Sequence, residues 1–284
     1  MLTTDGMRCL AFILVSQLLL PGSGQSEALR EIPFQYHDGL IWLKVGIAGK
    51  KEPVNFILDS GATVSAIDLQ TAKAARVVLG RQQPVEGVNG RDIAYRIDDL
   101  KATVMGFALP KPALATDLSR VSQSCDRQVD GIVGINFFRN RIVRIDFRAG
   151  KIWLLNKCEI GTANCDMLPI KTYNGVFCVP VSIAGNPVQW MRLDTGCDSA
   201  LEWVVKATQK KAVREPSIGV SGSLVHYVKT SAHLGKYCFS DIPAGIHTKQ
   251  LFPGEDGLLG NGLLSKFCVT IDERRSRVIL QETR

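Results

Sequence analysis

The sequence predicts a mostly β chain built from two similar lobes. Two carboxylate turns support this prediction: Asp59-Ser60-Gly61 and Asp194-Thr195-Gly196 each follow an apolar, strand-like run, and they lie 135 positions apart (194 − 59). The residues around each turn are repeated in the same order. An Asp-Ser/Thr-Gly triplet arises by chance in roughly one chain in ten of this length, so the repeated surroundings are stronger evidence than the triplet.

The first repeated element is a hairpin that ends at the aspartate. A turn precedes it, Asp38-Gly39 in one copy and Asn174-Gly175 in the other, and residues 40–49 then align with residues 176–185 without a gap. A second apolar run leads into each aspartate. Apolar runs joined by turn residues predict a β-hairpin whose second strand delivers the carboxylate.

A glycine pair follows each aspartate, after 28 and 25 positions (87 − 59; 219 − 194). Gly87 and Gly90 in the first copy correspond to Gly219 and Gly222 in the second. Glycines within strand-forming sequence favour a mobile hairpin tip, so these residues are candidate flaps that close over a substrate. A plain hairpin turn is the alternative.

The two copies also end alike. Asp130-Gly-Ile-Val-Gly134 corresponds to Asp256-Gly-Leu-Leu-Gly260, and each is followed by a basic turn and a final apolar strand. Short helices are predicted at 69–76 and 204–211, with little other helix. Duplication explains this order of elements far better than coincidence.

This pattern resembles the pepsin and retropepsin clan of aspartic proteases over nearly all of residues 31–284. The two Asp-Ser/Thr-Gly turns and the downstream elements 132–134 and 258–260, two apolar residues and a glycine, carry the resemblance. Because an early glycine hairpin occurs in both halves, the chain is more similar to two fused retropepsin subunits than to pepsin.

The resemblance implies a bilobal acid-protease fold with two pseudo-twofold-related, β-barrel-like lobes at 31–157 and 158–284 and a cleft between them. It implies an aspartic endopeptidase in which Asp59 and Asp194 activate a water molecule. No cofactor or metal is expected, and the substrate is a peptide or protein. Since both aspartates lie on one chain, a monomer should suffice.

The other turn residues have supporting roles in this family. Ser60 and Thr195 are expected to hydrogen-bond across the pseudo-twofold axis and lock the two turns together. Gly61 and Gly196 allow tight turns that bring backbone N–H groups towards the carboxylates. An ordinary turn at the end of a strand is the alternative for each triplet.

Two adjacent carboxyls provide a base and an acid together. At about 3 Å and an effective dielectric near 20, two negative charges repel by roughly 5–6 kcal/mol, so one carboxyl keeps its proton, as is known for aspartic-protease pairs. The sequence leaves open which of Asp59 and Asp194 holds it.

The fourth turn position departs from the cellular proteases, which usually have a hydroxyl there. This chain has Ala62 and Cys197. Alanine has no side-chain donor and a thiol is a poor one, so the carboxylates lose a stabilising contact, and we expect a working pH less acidic than that of pepsin. Cys197 leaves a second hypothesis open, a non-catalytic retropepsin-like peptide-binding module of the cell envelope.

The N-terminus predicts export. Arg8, an apolar run at 9–20 and small residues after it are typical of a signal peptide, which we place at 1–26. The apolar run is too short for a membrane span. The protein is therefore expected to be secreted or periplasmic, and the absence of an Asn-x-Ser/Thr sequon fits a bacterial source.

Seven cysteines remain once the signal peptide is removed. Export permits disulfides, and an odd number requires a free thiol or an intermolecular bond. Cys158 and Cys165 could close a local loop, Cys197 is the candidate free thiol, and the pairing of the others is open. A zinc site is the rival interpretation, although no C-x2-C pair exists, and the four histidines show no metal-ligand spacing.

The chain has a net charge of +7, and we expect the basic residues responsible for it to lie on the solvated surface. Attraction to an anionic cell envelope or to acidic substrates is the alternative. No basic motif interleaved with aromatic residues supports nucleic-acid binding.

Overall fold

A computed structural model describes residues 28–87, 90–111, 113–158, 164–205, 216–218 and 224–283. The predicted signal peptide at 1–26 and the glycines Gly219 and Gly222 lie outside these residues. The domain boundaries predicted from sequence stay predictions.

The first half of the chain is made mainly of short strands. Its elements are β1 (Ala28–Pro33), β2 (Gln35–His37), β3 (Leu40–Ile47), β4 (Val54–Leu58), β5 (Ala66–Asp68), α1 (Leu69–Ala74), β6 (Gln82–Gly87), β7 (Gly90–Ile97), β8 (Ala102–Val104), β9 (Phe107–Ala108), β10 (Ala113–Thr116), α2 (Ser119–Ser124), β11 (Gly131–Val133), a 3-10 helix (Ile135–Phe137), β12 (Ile142–Asp146) and β13 (Lys151–Leu155).

The second half repeats this character. Its elements are β14 (Cys165–Pro169), β15 (Lys171–Tyr173), β16 (Val176–Ile183), β17 (Gln189–Leu193), β18 (Leu201–Val204), β19 (Pro216–Ile218), β20 (Leu224–Leu234), β21 (Tyr237–His247), β22 (Gly257–Leu259), α3 (Asn261–Leu264), β23 (Phe267–Asp272), a 3-10 helix (Glu273–Arg275) and β24 (Arg277–Glu282). The mostly β prediction is confirmed.

Each half has its own sheet. In the first half the strand order is β6-β7-β10-β5-β11-β4-β3-β8-β9, with β2 paired to β3. In the second half it is β15-β16-β17-β22-β18-β21-β20-β19. An extra pairing of β16 with β20 closes the second sheet into a barrel, whereas no such closure joins the ends of the first sheet in the part of the chain that the structure describes.

A third sheet joins the two halves. Its order is β1-β13-β12-β23-β24-β14, so three strands come from each half. The halves meet where β12 pairs antiparallel with β23, from Ile142 opposite Asp272 to Asp146 opposite Cys268. All six residues of β23 are buried. This shared sheet, together with a hydrophobic core that includes residues of both halves, supports the bilobal prediction.

The predicted hairpin turns contact the opposite half. Asp38, Gly39, Asn174 and Gly175 all have positive φ, the conformation that two-residue hairpin turns require. A Cβ on Gly39 would lie 2.6 Å from the Cβ of Asp198. The carbonyl of Gly175 accepts a hydrogen bond of 2.8 Å from Arg139 Nη2.

The first predicted helix is confirmed and the second is largely untested. Helix α1 begins at Leu69 because the carboxylate of Asp68 caps it, accepting hydrogen bonds of 3.0 Å from the N–H groups of Gln70 and Thr71. It ends at Ala74, two residues earlier than predicted. In the second predicted helix, Val204 instead ends strand β18, and residues 206–211 lie outside the described part. No helix among the described residues is long and apolar enough to cross a membrane.

The expectation of disulfides is not supported. No disulfide joins any of the seven cysteines within the described part of the chain. The suggested Cys158–Cys165 bridge is not formed. Cys165 lies opposite Gln281 in the pairing of β14 with β24.

Candidate active site

Asp59 and Asp194 occupy equivalent positions in the two halves. Each follows the last residue of the second hairpin strand, β4 or β17, and each donates its backbone N–H to a parallel neighbouring strand. Asp59 N–H bonds to the carbonyl of Val133 at 2.9 Å, and Asp194 N–H bonds to that of Leu259 at 3.0 Å. The apolar-apolar-glycine elements therefore lie directly beside the two turns.

A second pair of aspartates fixes these strands. Asp130 Oδ2 accepts the N–H of Asn55 at 2.9 Å, and Asp256 Oδ2 accepts the N–H of Trp190 at 3.0 Å. Asn55 and Trp190 each precede a turn aspartate by four residues (59 − 55; 194 − 190). The repeated Asp130 and Asp256 thus hold the strands that deliver Asp59 and Asp194.

The two turns are locked together by their hydroxyl residues. Ser60 N–H donates to Thr195 Oγ1 at 2.9 Å, and Thr195 N–H donates to Ser60 Oγ at 3.1 Å. Both side chains are almost completely buried, with exposed fractions of 0% for Ser60 and 1% for Thr195. The structure brings these two residues together across the halves in the arrangement that the family resemblance implies.

Each turn glycine lies against the carboxyl group of the other half. A Cβ on Gly61 would clash with both carboxyl oxygens of Asp194, and a Cβ on Gly196 would clash with the carboxyl group of Asp59. Glycine is required at both places because any side chain would displace the opposing carboxylate. The two carboxyl groups therefore share one small site between the halves.

Residues 43–137 match a family model described as Aspartyl protease. The matched segment includes the first turn, the Gly87–Gly90 pair and the element 132–134. Over these residues the chain is similar to the aspartyl protease family. No curated protein matches the chain.

The two halves supply unequal numbers of backbone N–H donors to their carboxylates. Asp59 Oδ1 accepts the N–H of Gly61 at 2.8 Å and that of Ala62 at 2.9 Å. Asp194 Oδ1 accepts the N–H of Gly196 at 2.9 Å. The N–H groups of Ala62 and Cys197 both also contact the backbone carbonyl of their own aspartate, at 3.3 and 3.4 Å. Among the described residues, only that of Ala62 also reaches the carboxylate.

Burial raises the pKa of both aspartates. The two backbone donors counteract this effect at Asp59. Burial and the charge of Asp59 together raise the pKa of Asp194 well above its ordinary value. The geometry gives the ionised form of Asp59 two backbone N–H donors and that of Asp194 one.

Three functional candidates escaped the sequence analysis: Arg192, Glu255 and Asn261. Arg192 and Glu255 form a buried ion pair beside the turns. Asn261 Nδ2 donates to the carbonyls of Thr195 and Gly39, each at 2.7 Å, and so connects the second turn to the opposite hairpin. The sequence signal for them was a mismatch between the repeats, because Arg192 corresponds to the apolar residue Ile57 (57 = 59 − 2; 192 = 194 − 2).

The first predicted flap is a hairpin formed by β6 and β7. Gly87 and Gly90 face each other as the last register pair of β6 and β7, and residues 88–89 lie outside the described part. Gly219 and Gly222 fall between β19 and β20, which pair at Ile218 and Leu224. Their role as flaps stays a prediction.

Other polar groups in the described chain make contacts of their own. A cavity of about 520 Å³, lined by four lysines among other residues, lies on the first half and includes neither Asp59 nor Asp194. No group of three or more His, Cys, Asp or Glu residues that could hold a metal ion occurs among the described residues. His247 pairs with Glu202, and His37 pairs with Asp38.

Proposed function

We propose that the protein is an aspartic endopeptidase that hydrolyses peptide bonds with a water held between Asp59 and Asp194. The observation that carries the proposal is the reciprocal contact of each carboxyl group with the other turn's glycine, Gly61 or Gly196. Two carboxyls that share one buried site can act as base and acid in one step.

The unequal hydrogen bonding assigns the roles. Asp59, with two backbone N–H donors, is the base that takes a proton from water as the water oxygen bonds to the scissile carbonyl carbon. Asp194 gives its proton to the carbonyl oxygen. A proton then passes to the amide nitrogen, the C–N bond breaks, and a carboxylic acid and an amine are released.

The same proposal covers substrate, assembly and location. The substrate is an extended peptide lying between the halves, with the Gly87–Gly90 hairpin above it. A monomer is sufficient because one chain carries both aspartates. The chain acts outside the cytoplasm after a signal peptide at 1–26 is removed, as the charged and apolar pattern of that segment predicts.

Cleavage of an unstructured protein by the chain without residues 1–26 tests the proposal. Cleavage should be lost in Asp59→Asn and in Asp194→Asn and blocked by a statine-type inhibitor. The exposed Asp241→Asn serves as the matched control, and it should cleave at the wild-type rate.

Absence of cleavage over a wide pH range would contradict the enzyme proposal. If the wild-type protein then still bound peptides, the non-catalytic peptide-binding module would be the better description.

A further inference from the structure

Arg192 lies beside the aspartate pair on the second half only. It precedes Asp194 by two residues on β17, so the two side chains point to the same face of the strand. Its exposed fraction is 4%. The equivalent residue of the first half is Ile57, which packs in an apolar cluster with Leu40 and Trp42. The first half therefore packs an apolar residue at the position where the second half has a charged one.

The guanidinium group of Arg192 is bound on all three nitrogens. Nε and Nη2 donate to the two carboxylate oxygens of Glu255 at 2.7 and 2.6 Å. Nη1 donates to the carbonyl of Gly61, on the other half, at 2.7 Å. The ring centroid of Phe252 lies 3.4 Å from the guanidinium carbon. Glu255 has an exposed fraction of 3%.

Such a pair is a poor way to gain stability, because a buried ion pair contributes no more than well-packed apolar residues do. The contact with Gly61 suggests another use. The carbonyl of Gly61 and the N–H of Ala62 belong to one planar peptide unit, and that N–H donates to Asp59 Oδ1 at 2.9 Å. Arg192, this peptide and Asp59 thus form one chain of hydrogen bonds, in which each bond polarises the next.

The second half lacks this chain of hydrogen bonds. In the described structure, the carboxylate of Asp194 receives one backbone N–H, from Gly196. The N–H of Cys197 contacts only the backbone carbonyl of Asp194, whereas that of Ala62 contacts both the carbonyl and the carboxylate of Asp59. Arg192 binds the turn of the first half. In that half, the Gly61–Ala62 peptide donates its N–H to the carboxylate of Asp59.

We propose that Arg192, anchored by Glu255, is a positioning residue that holds the Gly61–Ala62 peptide from the opposite half and so makes Asp59 the ionised member of the aspartate pair. This inference rests on the proposed aspartic endopeptidase function.

The surrounding charges are consistent with this role. The positive charge of Arg192 opposes the effect of burial on the pKa of both Asp59 and Asp194. On the neighbouring strand β16, burial and the charge of Glu255 raise the pKa of Cys178 to about 12, so its thiol is neutral.

Two further groups close to the pair are fixed by other contacts. The carboxylate of Asp256 accepts the N–H of Trp190. The amide of Asn174 lies 3.5 Å from Glu255 and donates to the carbonyl of Pro253. Within the ion pair, Arg192 is the group whose charge acts on both aspartates.

The experiment compares Arg192→Gln with Glu255→Gln in the chain without residues 1–26. The readouts are the pH dependence of kcat/KM on a peptide and the titration of the two aspartates by carbon NMR of labelled carboxyls. Arg192→Gln should move the Asp59 titration and the acidic limb of kcat/KM up by roughly one pH unit. It should lower kcat more than it raises KM. Glu255→Gln leaves the positive charge of Arg192 uncompensated. It should move the Asp59 titration and the acidic limb of kcat/KM to lower pH.

Additional variants keep the test decisive if Arg192→Gln does not fold. The double variant Arg192→Gln/Glu255→Gln replaces the ion pair with an amide pair, and it should fold and show the same upward shift. Arg192→Lys keeps the positive charge, so the Asp59 titration should lie between those of the wild type and Arg192→Gln. Arg277→Gln breaks a different ion pair, with Asp272 in the shared sheet, and should lower stability without moving the limb.

Unchanged titration in the double variant, or shifts in the same direction for Arg192→Gln and Glu255→Gln, would overturn the inference. The NMR titration needs no activity. A wild-type protein that cleaves nothing would therefore contradict the proposed function while the role of Arg192 in setting the ionised aspartate was still measured.

Discussion

Ser60 and Thr195 exchange hydrogen bonds reciprocally across the two halves. Each hydroxyl accepts the backbone N–H of the other residue and donates to the carbonyl that precedes the other aspartate: Ser60 Oγ bonds to Leu193 O at 2.7 Å, and Thr195 Oγ1 bonds to Leu58 O at 2.9 Å. Four buried hydrogen bonds thus join two strand ends that lie 135 residues apart (195 − 60). The position of one aspartate depends on the fold of the other half.

Removing either hydroxyl should destabilise the whole protein. Ser60→Ala leaves the N–H of Thr195 and the carbonyl of Leu193 buried without partners. Each such group costs about 1–3 kcal/mol, so we expect the free energy of unfolding in urea to fall by about 2–6 kcal/mol. Thr195→Ala should behave alike, whereas Thr195→Ser keeps the hydroxyl and should lose much less.

An exposed hydroxyl provides the control for this prediction. Thr116 Oγ1 bonds to the carbonyl of Ile93 at the surface, and Thr116→Ala should change the free energy of unfolding by less than about 0.5 kcal/mol. Equal losses in Thr116→Ala and Ser60→Ala would contradict the special role of the buried contact.

Replacing Asp194 by asparagine should stabilise the fold at neutral pH. Burial and the charge of Asp59 raise the pKa of Asp194 in the folded protein. The folded state therefore binds a proton that the unfolded state releases. This favours folding below the unfolded pKa of about 3.9, and the advantage is lost as pH rises through the folded pKa. Asparagine does not titrate, so its folding does not carry this cost of taking up a proton at neutral pH.

Urea unfolding at several pH values checks this prediction. The midpoint of Asp194→Asn should exceed that of the wild type at neutral pH, and the difference should shrink as the pH falls towards the unfolded pKa of about 3.9. The exposed Asp241→Asn should show no pH-dependent gain. A gain of the same size at every pH would mean that the pKa of Asp194 is the same in the folded and unfolded states.

The sequence could predict the site as far as the two copies resemble each other. The turns, the hairpins and the Asp130 and Asp256 elements are local patterns, and each copy supports the interpretation of the other. Pairing between distant strands has no such signal, because alternating apolar residues fit many partners equally well. The contact of β12 with β23 is therefore visible only in the folded chain.

The Arg192–Glu255 pair could not be predicted for a related reason. It joins residues 63 positions apart (255 − 192), and it exists where the copies differ. Comparison of the repeats marks Arg192 as unusual beside Ile57. Finding its partner requires the packed fold, since a buried charge is stable only where its hydrogen-bond geometry is complete.

Cys197 should have no nucleophilic role, despite its place next to the second turn. Burial and the neighbouring Asp194 raise the pKa of its thiol well above the ordinary value, and its sulfur lies 3.1 Å from Ser199 Oγ. A neutral thiol is a weak nucleophile. The hydrogen bond between the Cys197 thiol and Ser199 contributes only about 1 kcal/mol or less. Cys197→Ala should therefore keep cleavage within about fivefold of the wild-type rate.

Alkylation gives an independent measurement of this point. Cys238 is exposed, so iodoacetamide at neutral pH should modify it before Cys197, as read by peptide mass spectrometry. Activity should survive modification of Cys238. Rapid inactivation that Cys197→Ala abolishes would show that the thiol near the turn is reactive.

Adding a hydroxyl at the fourth turn position should shift activity to lower pH. Ala62 contributes only its N–H to Asp59 Oδ1, so Ala62→Ser offers the carboxylate a second donor from the same residue. A hydrogen bond to the ionised form lowers the pKa of a carboxyl, and a net gain of about 1.5 kcal/mol corresponds to roughly one pKa unit. The acidic limb of kcat/KM should move downwards by up to that amount, because the proton that must leave Asp59 leaves at lower pH. Ala48→Ser, which adds a hydroxyl to an exposed residue between β3 and β4, should leave the acidic limb of kcat/KM unchanged.

A wild-type pH profile as acidic as that expected for pepsin would contradict the link between the fourth turn position and the working pH. An unchanged acidic limb in Ala62→Ser would contradict it as well.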